Sequence, residues 1–180
     1  MANGEVQTRR PGSAQSVCDQ VLISLRRIIQ SIDLHSRYLV KRVGLTGPQL
    51  VILQEVHQSG EVATGEIARA ISLSQATVTG ILERMEKRGL VTRRRSDIDR
   101  RRVIVSLTPT GEALLAEAPP LMQESFVDEF SQLQDWEQSM ILSALQRLVS
   151  MMDAKTLKAA PILTTGPIDD STRDSAHSPN

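Results

Sequence analysis

Ser74-Gln-Ala-Thr-Val-Thr-Gly-Ile-Leu-Glu-Arg-Met-Glu-Lys-Arg88, then Gly89 and Leu90-Val-Thr-Arg-Arg-Arg95, is the stretch on which the fold turns. Val78, Ile81, Leu82 and Met85 stand at i, i+3, i+4 and i+7, the spacing of one buried helix face. Ser74 is placed to cap the start of that helix, and Gly89 to end it. The opposite face carries Ala76, Thr77, Thr79, Gly80, Glu83, Arg84 and Lys87, small near the start and cationic toward the end. Two β-type segments follow, Leu90 to Arg95 and Arg102 to Leu107. In the second, Val103, Val105 and Leu107 alternate with Arg102, Ile104 and Ser106. Ser96-Asp-Ile-Asp99 between them is turn chemistry, so the pair reads as a hairpin.

Working upstream, Glu66 sits near the start of a short helix beginning at Thr64, and Ile71-Ser-Leu-Ser74 is the turn out of it. Thr46 and Gln49 have capping-box spacing, with Pro48 in the first turn of a helix running to about His57, before Gly60. From Gln15 to Val43 a long helix carries Val21, Leu25, Ile28, Ile32 and Leu39 as an apolar stripe that needs a partner. Downstream, Thr108-Pro109 starts a fifth helix that Pro119-Pro120 should kink or split. A last helix, roughly Asp135 to Asp153, aligns Ile141, Leu145, Leu148 and Met152. The expected fold class is mainly α with a small β-hairpin wing: a winged helix-turn-helix plus a helical dimerisation region. The expected boundaries are a loose arm at 1–13, a dimerisation helix at 14–45, the winged domain at 46–110, C-terminal dimerisation helices at 111–158 and a disordered tail at 159–180.

Nine of the 21 basic residues fall between Arg84 and Arg102, against Glu86, Asp97 and Asp99 alone, although the formal net charge of the chain is zero. Residues 103–180 are acidic, with four basic and eleven acidic residues. Such a positive segment draws a polyanion. The four aromatic residues, Tyr38, Phe126, Phe130 and Trp136, are too few for modules that stack bases on aromatic platforms. One cysteine, Cys18, excludes an internal disulfide, and His35, His57 and His177 lack metal-ligand spacing, so neither a metal nor a cofactor is expected. No glycine-rich phosphate loop or Ser/His/Asp arrangement suggests an enzyme. With no long apolar run and no hydrophobic start, a cytoplasmic, nucleoid-associated protein without membrane contact is expected.

A helix of this kind has the diameter of the major groove of duplex DNA. Ser74, Gln75, Thr77 and Thr79 offer hydrogen-bonding groups where it would enter, and Arg84 and Lys87 lie further along for phosphates or an outlying guanine. Arg93 and Arg95 on the first strand, with Arg100 and Arg101 at the turn, suit phosphates and a minor groove. Asp99 reads as a wing-stabilising residue that holds a neighbouring arginine's fork in place.

Leu45-Thr-Gly-Pro-Gln49, Glu66-Ile-Ala68, Leu73-Ser-Gln-Ala-Thr-Val78, Leu82-Glu-Arg-Met-Glu-Lys-Arg-Gly-Leu-Val91, Asp99-Arg-Arg101 and Leu107-Thr-Pro-Thr-Gly111 occur in order at close-fitting spacings. Together they resemble the MarR family of bacterial transcription regulators across roughly residues 15–153. The resemblance implies a homodimer joined by the first and last helices, Asp99 and Arg101 as the family's wing Asp-x-Arg, and an effector pocket between dimer helices and winged domain. Leu25 to Ser36 also resembles regulators linked to osmolyte (ectoine-type) genes. The expected function is a repressor of a pseudo-palindromic operator on double-stranded DNA, relieved by a small-molecule effector; the alternative is a winged-helix protein–protein adaptor that does not bind DNA.

Four readings stay open. Gly80 is a packing accommodation or a groove contact, and Arg88 and Arg94 are surface charges or phosphate ligands. His35 is a satisfied core histidine or, with Tyr38, lines the effector pocket. Cys18 reads as a buried or incidental cysteine, because the position at which some relatives carry an oxidant-sensing cysteine falls near Leu22.

Overall fold

A computed structural model describes residues 14–157 and 159–165. The expected arm at 1–13 and residues 166–180 of the expected tail lie outside the described residues. The order of elements is α1 (Ala14–Val43), α2 (Gly47–Ser59), β1 (Val62–Ala63), α3 (Thr64–Ala70), α4 (Gln75–Lys87), β2 (Val91–Arg95), β3 (Val103–Leu107), α5 (Pro109–Glu117), α6 (Met122–Ser131) and α7 (Asp135–Met151). The expected class holds: seven helices and one small antiparallel sheet.

Local chemistry sets the ends of these elements. At α2 the Gln49 side-chain oxygen accepts the Thr46 N–H at 3.0 Å, satisfying a donor that the helix start leaves open. At the end of α4, Gly89 adopts φ +70°, a left-handed geometry that costs an L side chain strain. That turn lets the Gly89 N–H reach the Glu86 carbonyl at 2.8 Å and the Leu90 N–H reach that of Met85 at 3.0 Å.

The sheet has three strands where a two-stranded hairpin is expected. Val62 pairs with Val105 and Ala63 with Ile104, giving the order β1-β3-β2. A strand of two residues has no alternation to betray it, so only its partner reveals it. Within the hairpin the register runs from Val91 opposite Leu107 to Arg95 opposite Val103.

The core lies in the segment from α2 to β3. Leu45, Leu50, Ile52, Leu53, Ile67, Val78, Leu82, Met85 and Val105 are fully enclosed. Gly111 is required where α5 meets this body: a Cβ there would lie 2.1 Å from the Leu90 carbonyl oxygen. Thr108, the N-cap of α5, tightens the same junction by donating its N–H to Leu90 at 3.1 Å and its hydroxyl to Gly89 at 2.6 Å.

Pro119-Pro120 splits the fifth helix, so that α5 ends at Glu117 and α6 begins at Met122. Leu121 in the break is buried against the core, and Glu124 accepts a hydrogen bond from Gln54 of α2 at 2.7 Å. The start of α6 is thereby pinned to the body. Residues 159–165, in the segment expected as a tail, lie against the body. Thr165 donates its N–H to Ser36 at 3.2 Å and lies 3.2 Å from the Asp33 carboxylate, while the Leu163 N–H reaches Gln123 at 3.3 Å. Thr164 rests on Gly47, within 3.4 Å of where a Cβ would stand. A Pro-, Ser- and Thr-rich composition says nothing of such non-local partners, which is why this segment reads as tail.

Candidate nucleic-acid interface

The turn between α3 and α4 fixes the helix that the sequence singles out. Ser72 takes φ +56°, and the Leu73 N–H closes the turn onto the Ala68 carbonyl at 3.0 Å. Val78, Ile81, Leu82 and Met85 are buried as their spacing requires, which turns Gln75, Thr79, Arg84 and Lys87 outward.

The four polar residues at the start of α4 are not equivalent. Ser74 caps the helix by accepting the Thr77 N–H at 3.0 Å, and the two hydroxyls share a hydrogen bond of 2.7 Å. Thr79 donates its hydroxyl to the Gln75 carbonyl at 2.8 Å. The Thr79 proton is committed to the Gln75 carbonyl, whereas the hydrogen bond between Ser74 and Thr77 uses only one of their two hydroxyl protons. The Gln75 amide has no side-chain partner among the described residues, so it retains both donors and its acceptor for a base edge. Gly80 has no packing reason inside the chain: an added Cβ would meet nothing nearer than Arg84 Nη1 at 4.0 Å.

The cations of the 84–102 stretch divide in two. Arg93 is turned onto α4 rather than outward; its Nε and Nη2 donate to one Glu86 oxygen at 2.9 and 2.7 Å, and only 22% of the side chain is exposed. The cause is its place at the foot of β2, within reach of the last turn of α4. Arg95, two residues on and on the same strand face, has passed that carboxylate. Arg94 pairs with Glu61 at 2.7 Å and with Asp97 at 3.5 Å, and Arg102 pairs with Glu66. Arg88 donates to the Gly44 carbonyl at 2.8 Å, tying the end of α4 to the end of α1. Arg84, Lys87, Arg95, Arg100 and Arg101 make no side-chain hydrogen bond to a residue other than their own and no ion pair among the described residues.

Asp99 works differently from expectation. Its carboxylate accepts the Arg101 backbone N–H at 3.0 Å, and its carbonyl accepts the Arg102 N–H at 2.9 Å. It shapes the turn through the main chain and holds no guanidinium fork. Glu66 also does two things: one oxygen accepts the Ala63 N–H at 3.2 Å at the start of α3, and the other meets Arg102. The Ala63 hydrogen bond, then the Arg102 charge, hold its carboxyl below the ordinary value of 4.5 against some opposing desolvation.

Between α3, α4 and the wing lies an open groove of about 330 Å³, lined by Gly65, Arg69, Gln75, Thr79 and Arg101 among others. Gly65 and Arg69 are additions to the expected set. Arg69 stands fifteen positions before the charged stretch, so a local charge count passes over it; its Nε donates to the Gly65 carbonyl at 3.2 Å.

The residues expected around an effector are placed apart from one another in kind. His35 is half-buried, and its Nε2 is enclosed without a hydrogen-bond partner, whereas Tyr38 stands 53% exposed. A cleft at this end of α1 is lined instead by Ser36, Arg37, Val40, Lys41 and Thr165. Cys18 is exposed, not buried. Among the described residues no His, Cys, Asp and Glu cluster forms a metal site, and no helix is long and apolar enough to cross a membrane.

Comparison with known proteins bears on this geometry. The profile of the MarR family matches residues 45–103, which span α2 to the wing. The uncharacterized HTH-type transcriptional regulator YsmB of Bacillus subtilis is 33% identical over 132 residues, covering 73% of this chain and 90% of that protein. The homoprotocatechuate degradative operon repressor of Escherichia coli is 32% identical over 108 residues, 60% of this chain and 73% of that one. Among solved structures, Bordetella bronchiseptica BpsR, whose DNA binding is regulated by 6-hydroxynicotinic acid, superimposes with a TM-score of 0.50 at 31% identity, over 72% of this chain and 98% of its own.

Proposed function

The chain belongs to the MarR family of transcription regulators, and from that premise we propose that it is a homodimeric, sequence-specific repressor of a pseudo-palindromic operator. The observation that carries the reading is the set of five cations, Arg84, Lys87, Arg95, Arg100 and Arg101, that form no ion pair among the described residues, disposed along α4 and the wing beside the Gln75 amide. Gln75, with Ser74, Thr77 and Thr79, reads base edges in a major groove, and the tip arginines enter the adjacent minor groove. Arg84 and Lys87 take phosphates. Arg93 braces the wing, and Asp99 shapes its turn.

Residues 14–45 and 111–158 form the dimer region and residues 46–110 the reading head. Val21, Ile28 and Leu145 are exposed in the single chain, and Val17, Val21, Leu25, Ile28, Leu145 and Leu148 line a shared apolar groove between α1 and α7. A second copy covers that face. Two reading heads then meet half-sites about one helical turn apart, and repression is steric.

Relief by a small molecule follows the pattern of BpsR, which responds to 6-hydroxynicotinic acid. An effector acts by preferring a conformer whose two heads no longer match the groove spacing. His35 and Tyr38 are candidate contacts, and the resemblance of Leu25 to Ser36 makes osmolyte genes the first targets to try.

The test is to sequence the genomic fragments that the purified protein retains and to measure binding to the recovered site. A pseudo-palindrome is expected, with log K falling against log[salt] at a slope near −7 if about eight phosphates are contacted. A monomer at micromolar concentration that binds no duplex in dilute buffer overturns the reading and leaves the adaptor alternative.

A further inference from the structure

The arginines of the wing divide by partner. Arg93, Arg94 and Arg102 each meet a carboxylate from a different part of the body: Glu86 on α4, Glu61 before β1 and Glu66 on α3. Arg95, Arg100 and Arg101 meet none among the described residues. The grip on Arg93 is the firmest. Two of its donors converge on one Glu86 oxygen, and Glu83 stands 3.8 Å from Nη1.

Carboxylates beside a phosphate-binding face are repelled by DNA, so three of them paired with wing arginines weaken binding unless they do something else there. An arginine free to reach a phosphate adds about 0.9 to the salt slope on every sequence alike. An arginine held by a carboxylate adds little to that shared term. Since specificity is the ratio of affinities for right and wrong sequences, trimming the shared term raises it.

We propose that Glu86, Glu66 and Glu61 are specificity-determining residues, which hold Arg93, Arg102 and Arg94 away from phosphates and leave discrimination to Gln75 and the wing tip. The proposal rests on the DNA-binding reading above. It differs from a purely structural brace in the sign of what happens when the carboxylate loses its charge.

The experiment uses the full chain, a duplex selected from a random pool by the wild-type protein, and a scrambled duplex of the same length and composition. Glu86→Gln keeps the shape of the side chain and removes the charge that retains Arg93. Binding to the scrambled duplex is expected to tighten at low salt, with a slope steeper by about 1.8 for two subunits. That amounts to a further loss of about tenfold between roughly 50 and 200 mM salt. The ratio of selected to scrambled affinity falls accordingly, and the double variant Glu86→Gln/Arg93→Gln returns the slope to the wild-type value. Equal weakening on both duplexes with no steepening overturns the proposal. Should Glu86→Gln fail to fold, Glu61→Gln/Asp97→Asn, on more exposed side chains, asks the same question through Arg94, which both carboxylates hold. Wild-type protein that binds neither duplex defeats the DNA-binding reading and this one together; wild-type binding with unchanged slopes in the variants defeats this one alone.

Discussion

From Leu45 to Val105 the large apolar side chains are almost all enclosed, whereas those of α1, α6 and α7 stand largely in solvent. Of α1 only Leu39 and Val43 are buried, while α6 and α7 bury no residue. The first region folds on itself; the second presents faces that a single chain leaves uncovered. An amphipathic helix whose apolar face is uncovered is stabilised weakly by its own propensity, which is the reason for the second copy proposed above. Charge is uneven along the chain as well: nine of the 21 basic residues fall between Arg84 and Arg102, and the acidic excess lies after residue 103.

Breaking the exposed half tests this contrast most severely. Leu145→Glu, on α7 in the apolar groove shared with α1, is expected to yield monomers and to weaken operator binding roughly a thousandfold, about 4 kcal/mol. Sedimentation and a binding titration read the two effects, and a variant that remains dimeric places the partner face elsewhere. In the enclosed half, Gly111→Ala forces a methyl group onto the Leu90 carbonyl and is expected to cost about 3 kcal/mol in denaturant unfolding. A variant as stable as the parent means that α5 and the wing do not share that junction.

Smaller effects sharpen the contrast within the reading surface. Gln75→Ala should relax preference at one base position in each half-site by about 1–2 kcal/mol while leaving the others intact, as selection on randomised operators would register. Uniform weakening would instead make Gln75 a backbone contact. Ser74→Ala removes the cap of α4 and should destabilise the fold by about 1 kcal/mol, visible as a lower unfolding midpoint.

The smallest effect is on the acid limb of stability. The Glu66 carboxyl is held below 4.5 in the folded protein, so its contribution is present above that value and lost as pH falls through the folded pKa. Glu66→Gln should therefore lower the unfolding temperature near neutrality, change little at acid pH, and so flatten the fall below about pH 4.5. An unchanged acid limb would mean that its capping bond and the Arg102 pair add nothing in solution.

Much of this was legible because the decisive signals are local. Ser74, Gly89 and the Thr108-Pro109 pair mark element ends within a few residues of the bonds they make, and Val78 to Met85 declares its buried face by spacing alone. What stayed hidden depends on distance in the chain. Glu61 and Arg94 are 33 positions apart, and Glu66 and Arg102 are 36, so a charge count sees nine cations but not which of them are held. Val62 and Ala63 form a strand only because β3 arrives beside them. Asp99 reads by its neighbour's charge, yet its carboxylate serves the main chain two residues on.

The Leu90 carbonyl, which accepts from Thr108 and leaves no room for a Cβ at Gly111, has a mechanical consequence. It welds the stalk of the hairpin to α5 and denies it a hinge. On the DNA-binding reading proposed above, any yielding to a wider or narrower minor groove is then left to residues 96–101 above a clamped root. In the proposed dimer, operators rich or poor in A·T steps beneath the tips would be graded in strength while the separation of the two reading heads stays constant.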